Sequence, residues 1–163
     1  MPDFHNGIAP THRPDKYFWL KNKLELDLMD ITEEVIKMPV LMQDAGEFTA
    51  MAIEIRESAK EDLERTIAQV AENLRNTTTP SGKQRSETAI ASAIPLSPLV
   101  EQKQKELSEA RLDAALWTSL VNSLRDKSTK IHVIADQINS GFITPSSIQE
   151  KRRKEIRNVE VNS

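Results

Sequence analysis

Residues 98–139, PLVEQKQKELSEARLDAALWTSLVNSLRDKSTKIHVIADQIN, decide the fold class. Leu107, Ala110, Ala114, Trp117, Val121, Leu124, Ser128, Ile131, Ala135 and Ile138 follow one another at alternating steps of three and four. That spacing draws an apolar seam along one face of a helix, sustained for more than four heptads. Leu112, Leu116 and Leu120 widen the seam into a second apolar flank. Ser97 is a good N-cap, and Pro98 stands in a first turn, where its missing N–H has no partner to lose. Gly141 is a natural residue just past the C-terminus.

Working outward, a second stripe precedes this helix: Leu41, Ala45, Phe48, Ala52, Ile55, Ala59, Leu63, Ile67, Val70 and Leu74. It predicts a helix running to about Asn76. Before it, Asp15 opens a helix whose face carries Tyr17, Leu20, Leu24, Leu28, Ile31 and Val35. Pro39 is expected to end or kink that helix, because the residue before a proline resists the α conformation. Between the long helices lie a polar loop from Asn76 to Ser86, a short apolar segment from Glu87 to Ile94, and a turn bracketed by Pro95 and Pro98. Residues 1–14 hold three prolines and no periodicity, and read as a flexible arm. Past Gly141, Thr144-Pro145 caps a short charged helix with Lys151, Arg152, Arg153, Lys154 and Arg157.

The expectation is therefore an all-α protein. A long antiparallel helical hairpin carries an N-terminal helix and a short C-terminal helix. Residues 1–14 form an arm, 15–142 a helical oligomerisation and DNA-binding domain, and 143–163 a basic helix and tail. Thin helices cannot cover one another's apolar faces completely, so a helical homo-oligomer is expected over a monomeric bundle. Leu107, Trp117, Val121, Leu124 and Ile131 are its expected seam.

Composition agrees with long solvated helices. Seven residues are aromatic, four are Gly, and 29% are charged. The chain has no cysteine, which excludes disulfides, thiolate nucleophiles and Cys-based zinc sites. Residues 1–14 lack the basic-then-apolar layout of a signal peptide, and no apolar run approaches a membrane span. His5, His12 and His132 are scattered, without metal-ligand spacing. The glycines are isolated, so no phosphate-cradling loop can be drawn. Neighbouring acids such as Glu33/Glu34 and Glu61/Asp62/Glu64 alternate with bases and read as solvated helix faces. No catalytic residue, cofactor or metal site is expected, and the chain does not read as an enzyme.

The net charge of −3 is unevenly spread. Residues 1–76 carry 9 Lys/Arg against 15 Asp/Glu, and residues 77–163 carry 13 against 10. An anionic partner would favour the second half. Arg75, Lys83 and Arg85, with Lys103 and Lys105 beyond, surround the turn between the long helices. Repeated around an oligomer, they would make a basic rim able to follow a single nucleic-acid strand. An ordinary solvated loop explains them equally well. The triplet Tyr17-Phe18-Trp19, flanked by Lys16, Lys21 and Lys23, has the residue types for base stacking. Consecutive helical residues point different ways, however, which favours aromatics docked in a groove over one shared platform.

The order of parts resembles the UvsY family, the recombination mediators of tailed phages. A long helix ends at NLRN (73–76), a basic loop leads to Arg85-Ser86-Glu87, and ETAIASAI (87–94) forms a short helix. A turn then opens SPLVEQKQKELSEARLDAALWTSLVNSLRDKSTKI (97–131), whose tryptophan followed by LxxxLRDKS is similar to the family's C-terminal helix. The resemblance covers about residues 50–142. It implies a helical homo-oligomer in the host cytoplasm that binds single-stranded DNA and helps a RecA-like recombinase displace single-strand binding protein. On this view Arg75, Lys83 and Arg85 lie where the family holds DNA. The chain departs in its acidity and in its N-terminal extension. Two other readings stand beside it: a scaffolding coiled-coil protein of a phage particle, and a helical assembly chaperone.

Overall fold

The computed structural model describes residues 10–28, 30–78 and 84–142. Every regular element among them is helical: α1 (Pro14–Asn22), α2 (Ile31–Asn76), α3 (Glu87–Ala93), a single 3-10 turn (Ile94–Leu96) and α4 (Pro98–Asn139). No helix among the described residues is long and apolar enough to cross a membrane. The basic helix expected in 143–163 and residues 1–9 of the expected arm lie outside the described residues.

Two differences from the expected elements have clear causes. The helix expected over 15–38 is broken after Asn22, where Lys23 and Leu24 close a turn by donating to the carbonyls of Leu20 and Lys21. The chain restarts at Ile31 because Asp30 caps it: the Glu33 N–H donates to Asp30 Oδ1 at 3.1 Å. Pro39 then neither ends nor delimits a helix, since α2 runs through it to Asn76. Pro39 is solvent-exposed, so its ring faces water rather than the packed side of the helix.

The described residues fall into two compact units, one within Met1–Pro14 and Phe48–Trp117, the other within Asp15–Glu47 and Thr118–Ser163. In the second, Tyr17, Leu20, Ile31, Met38, Leu41 and Ala45 are buried, as are Leu120, Val121, Leu124 and Ile131. A buried cation joins them. Lys127 donates to the carbonyls of Lys23 and Glu25, both at 2.7 Å, and pairs with Glu34 at 2.5 Å. One ammonium thus holds the turn after α1 and the first residues of α2, using all three of its protons. Gly141 closes α4 at φ 73, with its own N–H donating to Ile138 and that of Phe142 to Gln137, the paired bonds of a glycine-terminated helix.

In the first unit the buried residues are Pro10, Ala52, Ala71, Ile90, Val100, Leu107, Ala110, Ala114 and Trp117. The Phe48 and Trp117 rings lie 5.0 Å apart at a tilt of 32°. Here the buried charge is Asp113. Its carboxylate accepts from the Thr11 N–H at 2.9 Å, the Thr11 hydroxyl at 2.7 Å and the His12 N–H at 3.0 Å. Residues 10–13 are therefore not a free arm, because a carboxylate satisfied by three donors holds them in place. Arg13, next in line, takes the left-handed conformation at φ 57, which redirects the chain into α1.

Candidate nucleic-acid interface

The corner between α2 and α3 is built by the Arg85-Ser86-Glu87 stretch. Ser86 is the N-cap of α3 at φ −72, ψ 153, with its Oγ accepting from the Ala89 N–H at 3.3 Å. Capping leaves the Glu87 side chain free to reach back to α2. Arg75 donates through Nε to Glu87 Oε1 at 2.9 Å and through Nη2 to Oε2 at 3.0 Å. This two-point pairing ties the last turn of α2 to the first turn of α3. The hydrogen bond from Arg75 holds the Glu87 carboxyl below its ordinary range, and the same bond raises Arg75. Both groups are exposed, so the pair orients more than it stabilises.

Arg85 differs from Arg75. It is half-buried, and its Nε–H is shielded from solvent with no hydrogen-bond partner among the described residues. A dehydrated guanidinium N–H is costly to leave unmatched, and an incoming oxygen that reached it would find the desolvation already done. Lys83 lies outside the described residues.

Lys103 and Lys105 do not share this corner. Lys103 donates to Glu106 at 2.6 Å and stands 3.8 Å from Asp62, an arrangement that raises its pKa chiefly through the bond to Glu106. Asp62 precedes Arg75 by 13 residues of α2, about 20 Å along the helix. Lys105 is exposed and makes no ion pair with a described residue. The structure thus brings Arg75 and Arg85 to one corner and leaves Lys103 and Lys105 further along. A groove of about 410 Å³ in the same unit is lined by Glu54, Ile55, Ser58, Ala59, Asp62, Glu106 and Ala110. Its three acids and no bases turn phosphates away.

All five residues expected at an oligomer seam, Leu107, Trp117, Val121, Leu124 and Ile131, are buried within the single chain. Leu107 and Trp117 belong to the buried residues of the first unit, and Val121, Leu124 and Ile131 to those of the second. The flank beside the seam divides: Leu120 is buried, Leu116 half-buried and Leu112 exposed.

Two residues that sequence reasoning passes over are the buried charges Asp113 and Lys127. They continue a stripe of strict three-and-four steps, Ala110, Asp113, Trp117, Leu120, Leu124, Lys127 and Ile131, all of it buried. That periodicity is the signal that could have found them. Among the described residues no group of histidines and acids could hold a metal ion. No protein-family model, curated protein or solved structure matches the chain.

Proposed function

We propose that the chain is a recombination mediator: it binds single-stranded DNA without reading sequence and promotes loading of a RecA-like recombinase in place of single-strand binding protein. The observation that carries this reading is the capped corner at Arg85-Ser86-Glu87. There Glu87 anchors Arg75, and Arg85 keeps a guanidinium N–H unmatched among the described residues. An ordered corner with an unsatisfied arginine suits a phosphate contact better than a plain solvated loop does. The long hairpin belongs to the proposal too. Moving 14 residues along α2 from Phe48 to Asp62 moves the contact 14 residues back along α4, from Trp117 to Lys103, as antiparallel arms require.

The mediator acts as a homo-oligomer, since one protomer of net charge −3 offers few phosphate contacts and a repeated rim multiplies them. Leu99 and Leu112, in the first unit, are left exposed and supply apolar surface for the contact between copies. The test is fluorescence anisotropy of the full chain with a mixed-sequence single strand over a range of salt. Log affinity should fall linearly with log salt, and R85A with K105A should weaken binding and flatten the slope. Absence of binding at low salt defeats the reading.

A scaffolding or assembly role is the second reading, and one observation favours it. Arg75 and Lys103 already face acids of the same chain, so those cations stand partly neutralised. Sedimentation showing self-association that ignores DNA, in a chain that binds none, would select it.

A further inference from the structure

The three consecutive aromatics of α1 have three different surroundings. Tyr17 is buried, Phe18 half-buried, and Trp19 is 46% exposed. The protein's other tryptophan, Trp117, is wholly buried, so Trp19 stands out as a large ring left at the surface. Lys16 lies three residues before Trp19 in α1, which puts it on the same side of the helix, and Lys23 follows in the turn just past the helix end. The Lys23 ammonium is 5.8 Å from the Trp19 ring centroid. Lys16, Lys21 and Lys23 make no ion pair with a described residue, and Asp15 is the one acid in α1. In a chain of net charge −3, this is a local basic patch around an exposed indole.

We propose that Trp19, with Lys16 and Lys23, is a stacking site for a base of single-stranded DNA. The inference rests on the mediator reading and adds a contact outside the loop corner. Every base offers a π-face to an indole, so such a site is tolerant of sequence, and the flanking lysines neutralise the phosphates on either side. A second copy of the same patch is a poor occupant, because a two-fold contact there sets lysines against lysines. The N-terminal extension thereby acquires a role, presenting one ring outward while Tyr17 and Leu20 anchor the helix inward.

The two tryptophans make the test direct. In the full chain carrying W117F, emission comes from Trp19 alone. Titration with a mixed-sequence single strand at low salt should quench it, in step with the anisotropy rise of a labelled strand. W19L in the otherwise native chain should weaken binding on the order of tenfold, W19F should restore most of it, and K16Q with K23Q should flatten the salt slope. Because Trp19 is exposed, these changes leave the core intact, and circular dichroism of W19L checks that. If W117F impairs folding, the difference between native and W19F emission on titration gives the same readout. Strand binding by anisotropy with unchanged Trp19 emission and native affinity in W19L overturns this inference and spares the mediator reading. No anisotropy change with any strand overturns both. Trp19 emission that moves with protein concentration alone assigns the ring to a contact between copies and overturns the inference.

Discussion

Asp113 and Lys127 stand 14 residues apart in one buried stripe of α4 and grip backbone groups of opposite polarity. The carboxylate takes the N–H groups of Thr11 and His12, and the ammonium takes the carbonyls of Lys23 and Glu25. Backbone segments outside regular helices have no internal partners for these groups, and buried ones must find them elsewhere. α4 supplies them with two charges set at heptad spacing, each matched to the groups it meets.

Removing the acceptor tests the first grip. Asp113→Ala should lower stability by about 1–3 kcal/mol, because three donors lose their acceptor. Asp113→Asn, which keeps one carbonyl oxygen, should lose less. Hydrogen exchange at Thr11 and His12 should quicken in both variants. Unchanged exchange at those two amides would show that residues 10–13 are held by something else.

The second grip is a buried ion pair, and breaking one side of it strands the other. Lys127→Met should cost about 3–5 kcal/mol in urea unfolding, since Glu34 and two carbonyls lose their donor. A double change with Glu34→Gln should recover part of that loss. Equal midpoints for the native chain and Lys127→Met would contradict the structural role given to this ammonium.

Trp117 is wholly buried against Phe48. Trp117→Ala should destabilise the chain by about 3–5 kcal/mol through lost burial and the cavity left behind. The change acts on the protomer's own core, so the melting temperature should fall equally at low and high protein concentration. A loss that disappears at high concentration would move Trp117 to a contact between copies.

Pro39 sits inside a continuous helix, where a proline removes one backbone hydrogen bond. Pro39→Ala should raise stability by about 1–3 kcal/mol, read as a higher melting temperature. A lower one would show that the first turns of α2 need the bend to bury Met38 and Leu41.

The tie between Arg75 and Glu87 should depend on pH. Glu87 is held below its ordinary value of 4.5 in the folded chain, chiefly by the hydrogen bond from Arg75. A lowered folded value means the contribution is complete above the ordinary carboxylate range and is lost as pH falls through the depressed value. Amide exchange in α3 should therefore quicken in acid, and the titration of the Glu87 side-chain carbon should move upward in Arg75→Ala. Added salt should weaken the effect, because the pair is exposed.

Much of this fold is legible in residue spacing, and the remainder shows why spacing alone falls short. The α4 seam is legible at Leu107, Trp117, Val121, Leu124 and Ile131 because large apolar side chains at helical steps have few other uses. Asp113 and Lys127 share the same steps but, as charges, do not read as core, since a charge needs a partner to be buried and their partners lie more than 100 residues away. The break after Asn22 is hidden because Leu20, Leu24, Leu28 and Ile31 keep the helical rhythm across a turn. The competing signal is Asp30 followed three residues later by Glu33, the pattern of a capped helix start. At the candidate interface the basic residues are legible as types. Their neutralisation is not, because Glu87 and Asp62 are brought to Arg75 and Lys103 by the fold.

The grips of Asp113 and Lys127 also set an order of events. Each joins residues 101 to 104 positions apart, so the stretch from Thr11 to Glu25 leaves the ribosome long before α4 exists to hold it. Contacts of that range form only after the intervening chain has been brought together. This earlier-synthesised segment is thus among the last to be placed, and until α4 emerges Tyr17 and Leu20 travel uncovered. A nascent chain stalled before residue 113 should show those residues open to protease, and one released past residue 127 should not.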